Sequence, residues 1–273
     1  MTRGRMLALG VGVPLALVVI GWTALTAIAY AGQASYPVRL DLPVHGGTVR
    51  VAVDSGDVTA GQAAGDRLRL TGTARYSLVR STVTWHSTPS GVTVSSQCHF
   101  VTGVCSFKYQ AAFPAGLRAF VSDGSGDVTL QGLAAPVHAV DQSGDVHAYA
   151  LAGAVNIQDR SGDVHGAALS GRQVVLHDQS GDIIVSGLTS RDVTASGGSG
   201  DVTLIFTKVP DRVRISDQSG NVTLVLPRGG TLYDVTASTS SGQTGVHVPT
   251  SSSSPHEITV TDQSGNITIA RGS

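Results

Sequence analysis

Along most of the chain, apolar residues alternate with polar ones in short runs on either side of a Ser-Gly pair. Six and four residues before the Ser stand Val137 and Ala139, Val155 and Ile157, Val174 and Leu176, Val193 and Ala195, and Val213 and Ile215. Three and five residues after it the alternation resumes, as at Val128 and Leu130, Ile183 and Val185, Val202 and Leu204, and Ile267 and Ile269. A Leu closes several units eight residues on, at Leu133, Leu151, Leu169 and Leu188. A period of two puts alternate side chains on opposite faces, so each unit reads as two short strands around a sharp glycine corner.

The spacing of these corners decides between a meander of hairpins and a parallel solenoid. Ser-Gly-Asp begins at Ser55, Ser125, Ser143, Ser161, Ser180 and Ser199, becomes Ser-Gly-Asn at Ser219 and Ser264, and Ser-Gly-Gln at Ser241. From Ser125 on, each corner follows the last by roughly 18–23 residues, a nearly constant period that suits coils of equal circumference. We therefore expect an all-β fold: a parallel β-solenoid of about eight coils over residues 115–273. A coil cannot stand alone. Burying about four apolar side chains contributes roughly 6–12 kcal/mol, while ordering ~18 residues costs on the order of 20–35 kcal/mol.

Residues 46–114 break the rhythm. Val49, Val51 and Val53 lead into Ser55-Gly56-Asp57 as in a good coil, yet the next Ser-Gly-Asp does not come until Ser125. The alternating runs between them predict antiparallel hairpins over 66–114 that cap the open end, because a bare sheet edge templates aggregation. Within them, Gly91–Val94 and Phe107–Tyr109 read as the two strands of one hairpin with Val101-Thr102-Gly103 at its tip. At the other end, Thr250–Pro255 reads as a polar loop lengthening a corner.

Ahead of the repeats, Arg3 and Arg5 precede an almost uncharged run from Met6 to Gly32. Its ~25 residues exceed what a ~30 Å hydrocarbon core needs as a helix. The arginines place residues 1–5 in the cytoplasm, 6–31 across the membrane, 32–45 as a linker and the bulk outside. The competing reading is a signal peptide cleaved after Ala29-Tyr30-Ala31, whose product is secreted. On either reading Cys98 and Cys105 reach an oxidising compartment, where their spacing predicts one local disulfide. With a net charge of −1 and 14% charged residues, the chain lacks the field that recruits nucleic acid.

The hydrophobic N-terminus, the Cys-containing segment and the serial Asp-Gln-Ser-Gly-Asp-Val units together resemble the bacterial putative-adhesin family of β-strand repeat proteins. The resemblance spans roughly residues 46–270. It implies an envelope location and an elongated β-repeat shape.

The most tempting chemistry lies in the acids of the repeat. Asp123, Asp141, Asp159, Asp178, Asp217 and Asp262 stand two residues before their Ser. Asp127, Asp145, Asp163, Asp182, Asp201, Asn221 and Asn266 follow their Gly. Stacked at about 4.8 Å they would repel one another, which raises weak cation binding as an option. Turn architecture is the favoured reading: the first acid can accept from turn amides, and Asn or Gln replaces the second, which suits a corner better than an ion site. His147 and His165 occupy equivalent places and read as outward ladder residues rather than a metal pair. No nucleophile elbow, P-loop or dinucleotide fingerprint occurs. The expectation is thus a non-enzymatic, membrane-anchored interaction module of the cell envelope, without cofactor or metal, whose partner is an envelope protein or glycan. Open terminal edges leave room for homo-oligomers. A cation- or glycan-binding module using the corner ladder is the alternative, and a carbohydrate-active β-helix enzyme a more remote one.

Overall fold

The computed structural model describes residues 15, 18–29, 31–99 and 103–272. Much of the expected span 6–31 lies outside them; residues 18–29 are helical, and no helix among the described residues is long and apolar enough to cross a membrane. The strands begin with β1 (Gln33–Pro43), inside the segment read as a linker. β2 (Thr48–Val53), β3 (Gly56–Ala63), β4 (Arg67–Ser77), β5 (Thr82–Thr88), β6 (Gly91–Gln97) and β7 (Cys105–Pro114) follow. Next come β8 (Arg118–Asp123), β9 (Val128–Gln131), β10 (Val137–Val140), β11 (Val146–Tyr149), β12 (Val155–Asp159), β13 (Val164–Ala167), β14 (Gln173–Asp178) and β15 (Ile183–Leu188). The last are β16 (Asp192–Gly197), β17 (Val202–Phe206), β18 (Arg212–Ser219), β19 (Val222–Leu226), β20 (Asp234–Ser241), β21 (Thr244–His247), β22 (Glu257–Ser264) and β23 (Ile267–Arg271).

They form two sheets, of 12 and 11 strands, and each coil gives one strand to each. Neighbouring coils pair in parallel and in register, apart from a shift between Val185 and Leu188 where β15 meets β17: Val137 lies against Val155 and Val155 against Val174 in one sheet, Val146 against Val164 and Val164 against Ile183 in the other. Alternation fixes this register, since a one-residue slip would turn each valine column to water. The closing leucines Leu133, Leu151, Leu169 and Leu188 are all buried between the sheets.

Both ends of the stack depart from chain order. Gly91–Gln97 and Phe107–Tyr109 are not strands of one hairpin. β6 pairs in parallel with β2 in one sheet, and β7 pairs in parallel with β3 in the other. Together they make a coil stacked outside the first one, which is why so long a segment separates Ser55 from Ser125. The antiparallel N-terminal part is present but smaller than a run of hairpins: β4 pairs with β1 and β7 on one sheet edge, and β5 with β6 on the other. β1 carries Pro37 and Pro43, which blunt that edge. At the far end β22–β23, last in the chain, insert between β18–β19 and β20–β21, so β20–β21 is the outermost coil. The resulting stack holds ten coils among the described residues.

The Cys98–Cys105 disulfide has its expected partners, with Cα atoms 5.8 Å apart, but joins the two sides of a corner rather than two paired strands. Where β2 turns into β3 between Val53 and Gly56, the equivalent positions are Ser96 and Phe107, so the bridge closes a corner lengthened by insertion. The tip residues Val101 and Thr102 lie outside the described residues.

Candidate functional site

Each Ser-Gly corner is built by close approach. Gly144 and Gly162 adopt φ of 143° and 144°, and a Cβ on Gly162 would run into the carbonyl of Gly144 in the coil beneath. Only glycine meets both demands. The amides of these glycines bond across coils, Gly144 N–H to the Ser161 carbonyl at 3.0 Å and Gly162 N–H to that of Ser180 at 3.2 Å.

The acid after each glycine serves the same stacking. The Asp127 carboxylate accepts from Asp145 N–H at 3.1 Å, Asp145 from Asp163 N–H at 2.9 Å, and Asp163 from Asp182 N–H at 2.9 Å. The chain continues through Asp182 to Asp201, Asp201 to Asn221, Asn221 to Asn266 and Asn266 to Gln243. This order, 221 to 266 to 243, independently traces the inserted last coil. An amide oxygen accepts as well as a carboxylate does, so Asn serves where Asp is absent.

The acids two residues before the Ser point inward. Asp123, Asp141, Asp159, Asp178, Asp217 and Asp262 are all buried, in a file beneath the corners. One oxygen usually caps the turn: Asp141 Oδ1 accepts from Gln142 N–H at 2.8 Å, and Asp159 Oδ1 from Arg160 N–H at 2.7 Å. The other has no partner in Asp123, Asp141, Asp159 and Asp178. Gly197 interrupts the file; Asp217 leans into the space a side chain would take there and leaves both oxygens unpartnered. Burial, followed by the charge of Asp141, pushes Asp123 and Asp159 up to about 7. Burial likewise lifts Asp141 to about 6 and raises Asp178 and Asp217. No group of three or more His, Cys, Asp or Glu among the described residues has metal-site geometry.

His147 and His165 stack ring on ring at 5.5 Å on an outer face, with His165 Nε2 3.7 Å from Asp163 Oδ2. A feature that the repeat pattern did not reveal lies on the outer face of the other sheet. There Arg50, Phe120 and His138 occupy one row on adjacent rungs. The Arg50 guanidinium sits 3.7 Å over the Phe120 ring, whose other face stacks on His138 at 4.8 Å. With Arg118, Asn156 and Gln173 they line an open depression of about 440 Å³. Burial, and then the charge of Arg50, lowers the pKa of His138. The available signal was phase: Arg50 stands between inward Val49 and Val51, and Phe120 between inward Ala119 and Val121, as Thr or Asn does in other coils. The pairing of β2 with β8, across the long insertion between them, was hidden.

The family model described as Toastrack DUF4097 matches residues 118–270. No curated protein matches the sequence. Among solved structures, a putative adhesin from Bacteroides fragilis NCTC 9343 is similar at 14% identity and a TM-score of 0.47, covering 87% of this chain and 97% of its own. A putative cell adhesion protein from Clostridium sporogenes ATCC 15579 is similar at 6% identity and a TM-score of 0.32, covering 88% of this chain and 100% of its own.

Proposed function

The chain belongs to the Toastrack DUF4097 family, and from that premise we propose that it is an exported, non-enzymatic interaction module of the cell envelope. In this reading residues 6–31 hold the protein at the membrane and the β-solenoid stands outside as a rigid rod making adhesin-like contacts. The observation that carries it is the regularity of the two outer faces: coils stacked in parallel present rungs that are mostly Thr, Ser, Gln, His and Arg, with scattered apolar residues such as Tyr149 and Ile184, as one continuous array. Such an array suits recognition of an extended partner. The disulfide supports an oxidising compartment. We read both acid files as architecture, since the outer acids are engaged coil to coil and the inner ones, Asp217 excepted, cap turns.

Fractionation of expressing cells, combined with protease digestion of intact cells, tests the reading. The rod should remain with the membrane and be cut only from outside. Recovery in the cytosol, protected from added protease, would overturn it.

A further inference from the structure

The acids of this protein are concentrated at the Ser-Gly corners, and the outer face of one sheet has the opposite character. Across seven consecutive strands of that sheet, β5, β6, β2, β8, β10, β12 and β14, no outward strand position between the corners carries a carboxylate. Arg50 and Arg118 project there, both exposed, and neither makes an ion pair among the described residues. Further along the same sheet Arg212 and Arg214, on the outer face of β18, are both engaged with Glu257, at 3.1 and 3.9 Å, and Arg191, just before β16, pairs with Asp211 at 2.6 Å. An Arg head left without a carboxylate, in a chain whose net charge is −1, is a recognition element in search of an anion.

The depression around this pair selects among anions. Arg118 stands one rung and two residues from Arg50, roughly 8 Å by strand geometry. Beside them Asn156, Gln173 and Thr48 offer neutral donors and acceptors that match hydroxyl groups. Phe120 offers no platform for a nucleobase, because Arg50 covers one face and His138 the other. Its role is to hold the Arg50 guanidinium in place, so that less side-chain freedom is lost on binding. We infer that this face is the contact surface of the rod and that its partner is a carboxylate-bearing polysaccharide, laid across the rungs with its uronate groups on Arg50 and Arg118 and its hydroxyls on the amide and hydroxyl side chains beside them.

This inference rests on the interaction-module reading and names its ligand; the two fail separately, because localisation is read from fractionation and recognition from binding. Calorimetric titration of the full chain in detergent micelles with oligogalacturonate, a neutral oligogalactoside of equal length and polyglutamate of equal charge tests it. Oligogalacturonate should bind and the neutral oligomer should not. The double variant R50Q/R118Q should bind it about tenfold or more weakly, with melting temperature unchanged, since charge-assisted bonds of this kind carry at least that much. R191Q, which alters an engaged arginine, should bind as the parent does. Absence of binding, affinity undiminished in R50Q/R118Q, or polyglutamate binding as tightly as the uronate would each overturn the proposal.

Discussion

Replacing Asp159 by Asn should stabilise the rod at neutral pH and leave it nearly unchanged below about pH 4. Asp159 is 1% exposed, one oxygen is capped by Arg160 N–H, and the other has no partner. Asp141 lies in the coil beneath and Asp178 in the coil above, and Arg160 is the one cation immediately beside it in sequence. Asp127, Asp145, Asp163 and Asp201 add negative charge along the same corner, with His177 near Asp178 and His165 Nε2 3.7 Å from Asp163 facing it. With a folded pKa of about 7 against an ordinary 3.8, the proton is held more tightly in the folded state. Stability from such a group is fully present below about pH 4 and is lost as pH rises through about 7. At 1.36 kcal/mol per pKa unit this amounts to ~4 kcal/mol for Asp159 alone. Asp123 and Asp141 act in the same direction, and because neighbours interact, their protons leave in sequence rather than together. That spreads the loss over roughly pH 4–7, with an expected slope of about 2 kcal/mol per pH unit. Asn keeps the capping oxygen and removes the charge, so D159N should gain roughly 2–4 kcal/mol at pH 7.5 and change by less than about 0.5 kcal/mol at pH 3.5. Urea unfolding at closely spaced pH values measures both. A parent protein that grows more stable from pH 5 to 7, or a D159N variant equally destabilised at both ends, would refute the reasoning.

Three further outcomes follow from the corners. G162A should cost about 3 kcal/mol or more, because the new Cβ meets the Gly144 carbonyl at a φ that side chains rarely adopt; unfolding in denaturant reads the loss. D163A should cost about 1–2 kcal/mol by leaving the Asp182 amide without its acceptor, whereas D163N should lie within about 0.5 kcal/mol of the parent, and melting curves of the pair distinguish the two. Reduction of Cys98–Cys105 should lower stability by up to ~2.5 kcal/mol while leaving the far-ultraviolet spectrum unchanged, since the bridge closes a corner that the flanking parallel strands already define.

The coils were legible because period-2 alternation and a fixed step act locally and repeat. Val155, Ile157 and their equivalents could face only inward, and the first Asp, sharing their phase, had to follow them into the core. The second Asp was legible as a corner residue through its exchange for Asn221 and Asn266. What local pattern cannot carry is the order in which equal units stack. A strand such as Gly91–Gln97 satisfies its alternation equally well in a hairpin or in a parallel coil, and only the edge it finds, β2, decides. The inversion of the last two coils was hidden for the same reason, as Ser241 and Ser264 carry the same frame and either could be outermost. The arginine face was missed because its members come from β2 and β8, adjacent in space through that concealed order.

Distances across the outer row of one sheet test the stacking order most directly. Thr93, Thr194, Thr259 and Thr236 share that row, six, eight and nine rungs apart from Thr93 respectively. Spin labels at Thr93 paired in turn with the other three should give separations near 29, 38 and 43 Å at about 4.8 Å per rung. The label at position 236 should be farther than the one at 259, against chain order. Separations that follow chain order, or that do not lengthen by one rung spacing per coil, would contradict the parallel stack on which the rest depends.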